Sequence, residues 1–321
     1  MLMFALHRIA VLVFSLWALA CSNLGGGSRP RAADEALSEA SLRETVVFLA
    51  GPALKGRASG TEGDLAARDY IEARMTRVGL KAPVGGHQQA FTTEDGASTS
   101  NVIGVIPGAD PDIGDEIVII GAHHDHLGAE GASVFAGAND NASGVAVLLG
   151  IAEAMARRAK APRRTLVFVT FGAEEDGLLG SEHYVESPPP GLSLDDTVFM
   201  FNLDMVGRYP DEGVLYALHT FEGTPGRTLL DGIVSDFPAL EVDLGTPGED
   251  ADHLTFCDIG VPTTFFFTED STCYHRTCDT VDHVDFPSMA KVAALAFEFT
   301  ARLADSSLDL AAAREEGCAE D

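Results

Sequence analysis

Two glutamates, Glu174 and Glu175, stand side by side in FGAEEDGLLGS (171–181), directly after the apolar run 166–171. Adjacent carboxylates repel, and on a regular strand they would point to opposite faces. Taken alone they also fit the N-terminus of a following turn, where the backbone dipole favours negative charge. A second cluster, GAHHDHLG (121–128), puts three histidines and an aspartate in four positions after another apolar run. His123 and Asp125 share a face if the strand persists, and His124 and His126 share the other. In an H-x-D pair the imidazole binds a metal and the carboxylate accepts its second N–H. A third, AGANDNASG (136–144), places Asp140 just before a helix, where Asp, Asn and Ser are also ordinary N-caps. Asp204, in FNLDMVG (201–207), follows a very apolar strand, either as a cap or as a hard-metal ligand. The last cluster, DSTCYHRTCDTVDHVD (270–285), holds Tyr274, His275, Asp279, Asp282 and His283. An acidic surface loop accounts for its later residues but not for His275, flanked by Tyr274 and two cysteines. Each cluster lies on the C-terminal side of an apolar strand, so all can converge on one cleft. Pooled, they offer His and carboxylate donors without the four-cysteine or paired cysteine-and-histidine spacing of a zinc finger. That is the mix of a hydrolytic zinc site rather than a structural one.

These residues need a frame. Apolar runs at 100–106, 116–122, 166–171, 197–202, 213–218 and 263–268 read as strands. Several are continuously apolar, which implies cover on both faces. Helical spacing begins at Leu37, with Leu42, Val46, Val47 and Leu49 apolar, and recurs over 65–78, 143–160, 227–237 and 287–303. Gly79 closes the second of these as a C-cap. Alternating strands and helices predict an α/β fold: a three-layer α/β/α sandwich on a mostly parallel central sheet. Ligands bind such sheets beyond the C-terminal ends of the strands.

The 321 residues, 46% apolar with 33 Gly, have the composition of a globular protein with a large core. A net charge of −28 argues against a nucleic-acid partner, because phosphate binding needs basic patches. Residues 1–20 read as a secretory signal: His7 and Arg8, the apolar run 9–20, and an A-x-A end at 18–20. Cys21 follows directly and also fits a bacterial lipoprotein box, except that Ala18 stands where that box usually has Leu. Export to the periplasm or medium and attachment to a membrane through a lipid on Cys21 are both open. Residues 21–36 read as a flexible tether, 37–305 as one catalytic domain, and 306–321 as an acidic C-terminal tail. Disulfides form outside the cytoplasm, and Cys273–Cys278 is the local candidate pair.

Taken in order, GRASGTEGDLAARDYI, TSNVIGVIPG, GAHHDHLG, GANDNASG, FGAEEDGLLGS, NLDMVG, ADHLTF and YHRTCDTVD resemble the dinuclear zinc aminopeptidases of metallopeptidase family twenty-eight. Relatives there include glutamate carboxypeptidases and glutaminyl cyclases. The likeness runs from about residue 49 to 303. It implies a fold of the zinc-dependent exopeptidase type, two Zn2+ ions and peptide substrates cut at their N-terminal bond. By position, His123 and Asp204 would hold one zinc, Glu175 and His275 the other, and Asp140 would bridge them. Asp125 would support His123, Glu174 would be the general base, and Tyr274 would polarise the scissile carbonyl. His124 and His126 receive no metal role. The two glutamates then divide their labour, one binding metal and one moving a proton. A carboxypeptidase or dipeptidase would use the same ligands. A glutaminyl cyclase uses a single zinc and lacks the His123-type ligand, which is present here with Asp125. A non-catalytic binding relative would have lost ligands or the base, and all are present. The substrate pocket is not legible; segments 187–196 and 249–258 are its candidate walls.

Overall fold

The structure, a computed structural model, describes residues 31–83, 85–248 and 251–314. The expected signal, Cys21 as an expected site of lipid attachment, and tether residues 22–30 lie outside the described residues, as do 315–321 of the expected tail. Eight strands make one sheet: β1 (Gln88–Thr92), β2 (Ser98–Ile106), β3 (Ile117–His123), β6 (Thr165–Phe171), β7 (Thr197–Leu203), β8 (Val214–Leu218), β9 (Glu241–Leu244) and β10 (Thr263–Phe267). A separate hairpin pairs β4 (Gly128–Glu130) with β5 (Ser133–Phe135). The sheet order is β1-β2-β6-β3-β7-β10-β8-β9. The central strands β6, β3, β7 and β10 are parallel; β1 and β2 run against their neighbours, and β8 runs against β10 with β9 parallel to it.

Alternation along the strands explains the three layers. On β3, Val118, Ile120 and Ala122 face the larger core, and Ile117 and Ile119 face the smaller one. The larger core is closed by α1 (Arg31–Ala36), α2 (Glu39–Leu49), α3 (Glu62–Arg77), α4 (Gly144–Ala156), α6 (Pro225–Asp231) and α8 (Phe286–Asp305). The smaller is closed by α5 (Leu179–Glu186) and α7 (His253–Cys257), through Tyr184 and Phe256. Each fully buried Val, Ile or Phe stabilises by about 1.5–3 kcal/mol, so a strand buried on both faces anchors its C-terminal end firmly. Helix starts carry side-chain caps: Ser38, Thr61, Thr224 and Asp285 accept backbone N–H groups of α2, α3, α6 and α8.

Two boundaries differ from the sequence reading. Part of the expected tether, Arg31–Ala36, is helical, with Ala33 and Ala36 buried. The expected tail begins inside the domain: Leu310 is buried, and the Arg164 guanidinium donates to the Leu308 carbonyl at 2.7 Å. Strands β1 and β9 were not anticipated. Both are edge strands, mostly half-buried or exposed, so they lack the apolar run that marks the others. Among the described residues no helix is long and apolar enough to cross a membrane.

Candidate metal centre and active site

The register brings the polar clusters to one level. His123 closes β3 opposite Phe171, the last residue of β6. Gly121 lies opposite Asn202, so Asp204 leaves β7 beside His123. After Phe171 the chain turns through Gly172 and Ala173, the latter at φ 57°. Asp125 fixes this turn: one carboxylate oxygen accepts the Glu174 N–H at 3.1 Å and the other the Glu175 N–H at 3.3 Å. The adjacent glutamates can therefore both face the cleft, because the segment is not a strand. Asp125 also stands 3.7 Å from His123 Nδ1, on the ring side away from the cleft.

His123 Nε2 lies 3.2 Å from Asp140, 3.3 Å from Asp204 and 3.9 Å from Glu174. His275 Nε2 lies 3.2 Å from the other Asp140 oxygen and 3.1 Å from Glu175. Asp140 thus sits between two imidazoles, each with a further carboxylate. His126 also enters the site, although the sequence reading gave it no metal role. Its Nδ1 lies 2.6 Å from Glu175 and 3.7 Å from Asp140. β3 ends at His123, so the alternation of a strand does not extend to His126. His124 has its Nε2 3.3 Å from buried Asp64. Tyr274 is half exposed and stacks on His275, with ring centroids 3.9 Å apart.

The electrostatics are those of crowded carboxylates. Burial pushes the Glu174 carboxyl up to about 10, against His123 and with Asp252, Asp204 and Asp125 adding to the rise. Burial also raises Asp204, while His123 opposes it. Burial acts the same way on Asp140, but hydrogen bonds to His123 and His275 outweigh it and hold the group below its ordinary value. A bound cation acts on all these acids in the lowering sense. The donor set fits a metal. His123 with Asp140 and Asp204, and His126 with Asp140 and Glu175, form groups whose ligand atoms all lie within 4.8 Å of one another. Asp204 Oδ1 is buried 3.3 Å from His123 Nε2 without a well-aligned hydrogen bond, a costly state that a cation would relieve. Imidazole nitrogens and carboxylate oxygens suit zinc.

Behind this layer lies a second that sequence reasoning left unassigned. Arg57, from GRASG, is completely buried and donates to five backbone carbonyls: His124, Leu49, Ala136, Gly137 and Asp140. Asp279 accepts the Asn139 and Asp140 N–H groups at 2.8 and 3.0 Å. Asn139 and Asn141 in turn accept the N–H groups of Gly207 and Met205, tying the Asp140 turn to the exit of β7. Asp270 accepts the Cys273 N–H at 2.8 Å and pairs with His283, and Cys273–Cys278 is a disulfide, as expected. An arginine beside glycines was the available signal for Arg57; nothing local distinguishes Asp279 from a surface acid. A cavity of about 230 Å³ adjoins the cluster. Of the candidate walls, Ala251 lines it, whereas Ser187 and the prolines after it border a different cleft near His87 and His183.

The model of a family described as peptidase family M28 matches residues 101–300. Leupeptin-inactivating enzyme 1 of Streptomyces exfoliatus is 29% identical over 249 residues, 71% of this chain and 53% of that protein. Aminopeptidase YwaD of Bacillus subtilis is 30% identical over 211 residues, 61% of this chain and 42% of that protein. The chain spans about half the length of these curated relatives. Among solved structures, a zinc aminopeptidase from Bacillus subtilis superposes with a TM-score of 0.67 at 18% identity, covering 86% of this chain and 97% of that one. A glutaminyl cyclase from Porphyromonas gingivalis gives 0.64 at 20% identity, covering 82% and 97%. At these identities the superpositions show the shared fold.

Proposed function

The chain belongs to peptidase family M28, and from that premise we propose that it is an exported aminopeptidase working with two zinc ions. The observation that carries the proposal is the position of Asp140, whose two oxygens face His123 with Asp204 on one side and His275 with Glu175 on the other. One carboxylate shared by two donor groups is what a two-metal centre requires. His123, Asp204 and Asp140 would hold one ion and Glu175, His275 and Asp140 the other, with His126 beside the second. When bound, zinc at such a centre acidifies water and draws on a carbonyl oxygen.

The remaining steps belong to the protein's own groups. Glu174 stands at the rim of the cluster, its backbone fixed by Asp125. It takes the proton of the attacking water and returns it to the leaving amine, a role for which proximity and an adjustable pKa both matter. Tyr274 stands over His275, and burial and the carboxylates raise its pKa, so its hydroxyl stays protonated and can donate to the carbonyl oxygen. Export follows from the leader at 1–20 and suits a chain with a disulfide.

The test is a panel of aminoacyl p-nitroanilides, assayed before and after chelation and again after zinc is restored. Cleavage that is lost and regained supports the reading. Failure on every free-amine substrate, with cleavage of N-blocked peptides from their C-terminus, makes the chain a carboxypeptidase.

A further inference from the structure

The imidazoles around Asp140 fall into two kinds by distance. Two donors on one tetrahedral zinc, each at ~2.0–2.1 Å, stand roughly 3.3 Å apart. His123 Nε2 lies 3.2 Å from Asp140 and 3.3 Å from Asp204, and His275 Nε2 lies 3.2 Å from Asp140 and 3.1 Å from Glu175. These four separations suit donors that share an ion. His126 breaks the pattern. Its Nδ1 is 2.6 Å from Glu175 Oε1 and 3.7 Å from Asp140 Oδ2. The first distance is too short for two donors on one zinc and is that of a short hydrogen bond to a carboxylate.

An ionised carboxylate can only accept, so Nδ1 carries the proton. His126 is buried, and its Nε2 has no hydrogen-bond partner among the described residues, so the bond to Glu175 alone orients the ring. Gly137 backs the ring so closely that a Cβ there would come within 2.6 Å of its Cγ and Cδ2. The Gly137 carbonyl in turn accepts from Arg57 at 2.6 Å. A chain of contacts thus runs from the buried guanidinium through the Gly137 backbone and the His126 ring to Glu175. The two Glu175 oxygens are thereby distinguished: Oε1 is taken by His126, and Oε2 faces His275 Nε2. We propose that His126 is a positioning residue and not a metal ligand. Its Nδ1–H holds Glu175 Oε1, so that Glu175 presents Oε2 alone to the ion it shares with His275. This rests on the two-zinc reading of the site. Partners that orient a ligand in this way typically contribute about 10–100-fold in metal affinity.

Leucine and asparagine have nearly the same shape, but only the amide can donate from the place of Nδ1. Zinc titration against a competing chelator, following both ions, therefore separates the hydrogen bond from packing. Wild type is expected to take two zinc ions. His126→Leu should still take two, with one ion held about 10–100-fold more weakly and the other changed by less than about threefold. His126→Asn should bring the weakened ion back to within about threefold of wild type. Thermal melts of the metal-free proteins show whether the variants fold, and His126→Ala replaces His126→Leu if leucine is not tolerated. Affinities left unchanged or tightened by His126→Leu, or a loss shared equally by both ions, overturn the assignment. So does a weakened ion that asparagine leaves unrestored, which makes His126 a ligand or a packing residue. A wild type that takes one zinc or none fails the two-metal reading before any variant is compared, and removes this inference with it.

Discussion

The two polar layers at the C-terminal edge of the sheet obey opposite rules. In the outer layer, facing the cavity, Glu174, Glu175, Asp140 and Asp204 crowd around three imidazoles, and one buried Asp204 oxygen has no well-aligned hydrogen bond. In the inner layer Arg57 spends its guanidinium N–H groups on five carbonyls, and Asp279 takes an N–H on each oxygen. Both layers are buried and charged. One is frustrated and the other is satisfied, and the satisfied layer holds the loops that create the frustration. Sites that break local rules need neighbours that over-determine the backbone.

The sharpest way to separate the layers is Glu174→Gln. It should lower kcat by about 10³-fold, within the usual range for removing a general base. Zinc content by elemental analysis should stay unchanged, since Glu174 is assigned no metal. Loss of zinc instead would mean that the two glutamates have exchanged roles; Glu175→Gln is the control expected to lose it. The metal-stripped protein carries a further signature. Its folded Glu174 keeps a proton up to about 10, against 4.5 for the ordinary group. Across that window the folded state binds more protons than the unfolded one, so stability falls as pH rises from about 4.5. Asp252, raised to about 7 by burial, and His275, raised to about 10 by Asp140 and Glu175, push in the same direction. Glu174→Gln should make the slope of denaturant-derived stability against pH shallower, and an unchanged slope would contradict the assignment.

The inner layer should fail in stability rather than in chemistry. Arg57→Met leaves five buried carbonyls without their donor, and breaking a buried charged network of this kind costs about 3–5 kcal/mol. Urea unfolding of the zinc-loaded protein measures it. A change below about 1 kcal/mol would mean that the loops hold without the guanidinium. Asp279→Asn is milder. The amide keeps one acceptor oxygen, so one of the Asn139 and Asp140 N–H groups loses its partner, for about 1–3 kcal/mol. Because those N–H groups fix the Asp140 turn, the variant should also lose zinc to a competing chelator faster than wild type. Unaltered zinc release would confine Asp279 to stability alone.

The sequence made the outer layer legible and hid the inner one, for a physical reason. Metal-site chemistry restricts residue type and places the ligands after buried strands, so His123, Asp140, Glu175, Asp204 and His275 stand out against apolar neighbours. Asp125 was legible from its spacing to His123, although its principal bonds go to the Glu174 and Glu175 backbone. His126, which carried no metal role in the family pattern, stands beside Glu175, and because β3 ends at His123 strand alternation says nothing about its direction. Four of the five carbonyls that Arg57 bonds lie 67–83 residues away, and both N–H groups that Asp279 holds lie 139–140 away, distances that local pattern does not carry. The parallel centre of the sheet was legible from continuous apolar runs, and the edge strands β1 and β9 were not, because edge strands need no such run.

Tyr274 belongs to neither layer, and the smallest effect tests where it stands. It is half exposed, and its ring lies on His275 at a 26° angle between planes. Tyr274→Phe keeps the ring and its stacking and removes only the hydroxyl. If the hydroxyl donates to the carbonyl oxygen as charge builds there, kcat should fall about tenfold, equivalent to ~1.4 kcal/mol, with KM nearly unchanged. Zinc content and melting temperature should match wild type. A rise in KM at constant kcat would instead assign the hydroxyl to ground-state binding. An additional loss of zinc would show that the ring's support of His275 depends on the hydroxyl, which would place Tyr274 with the supporting layer.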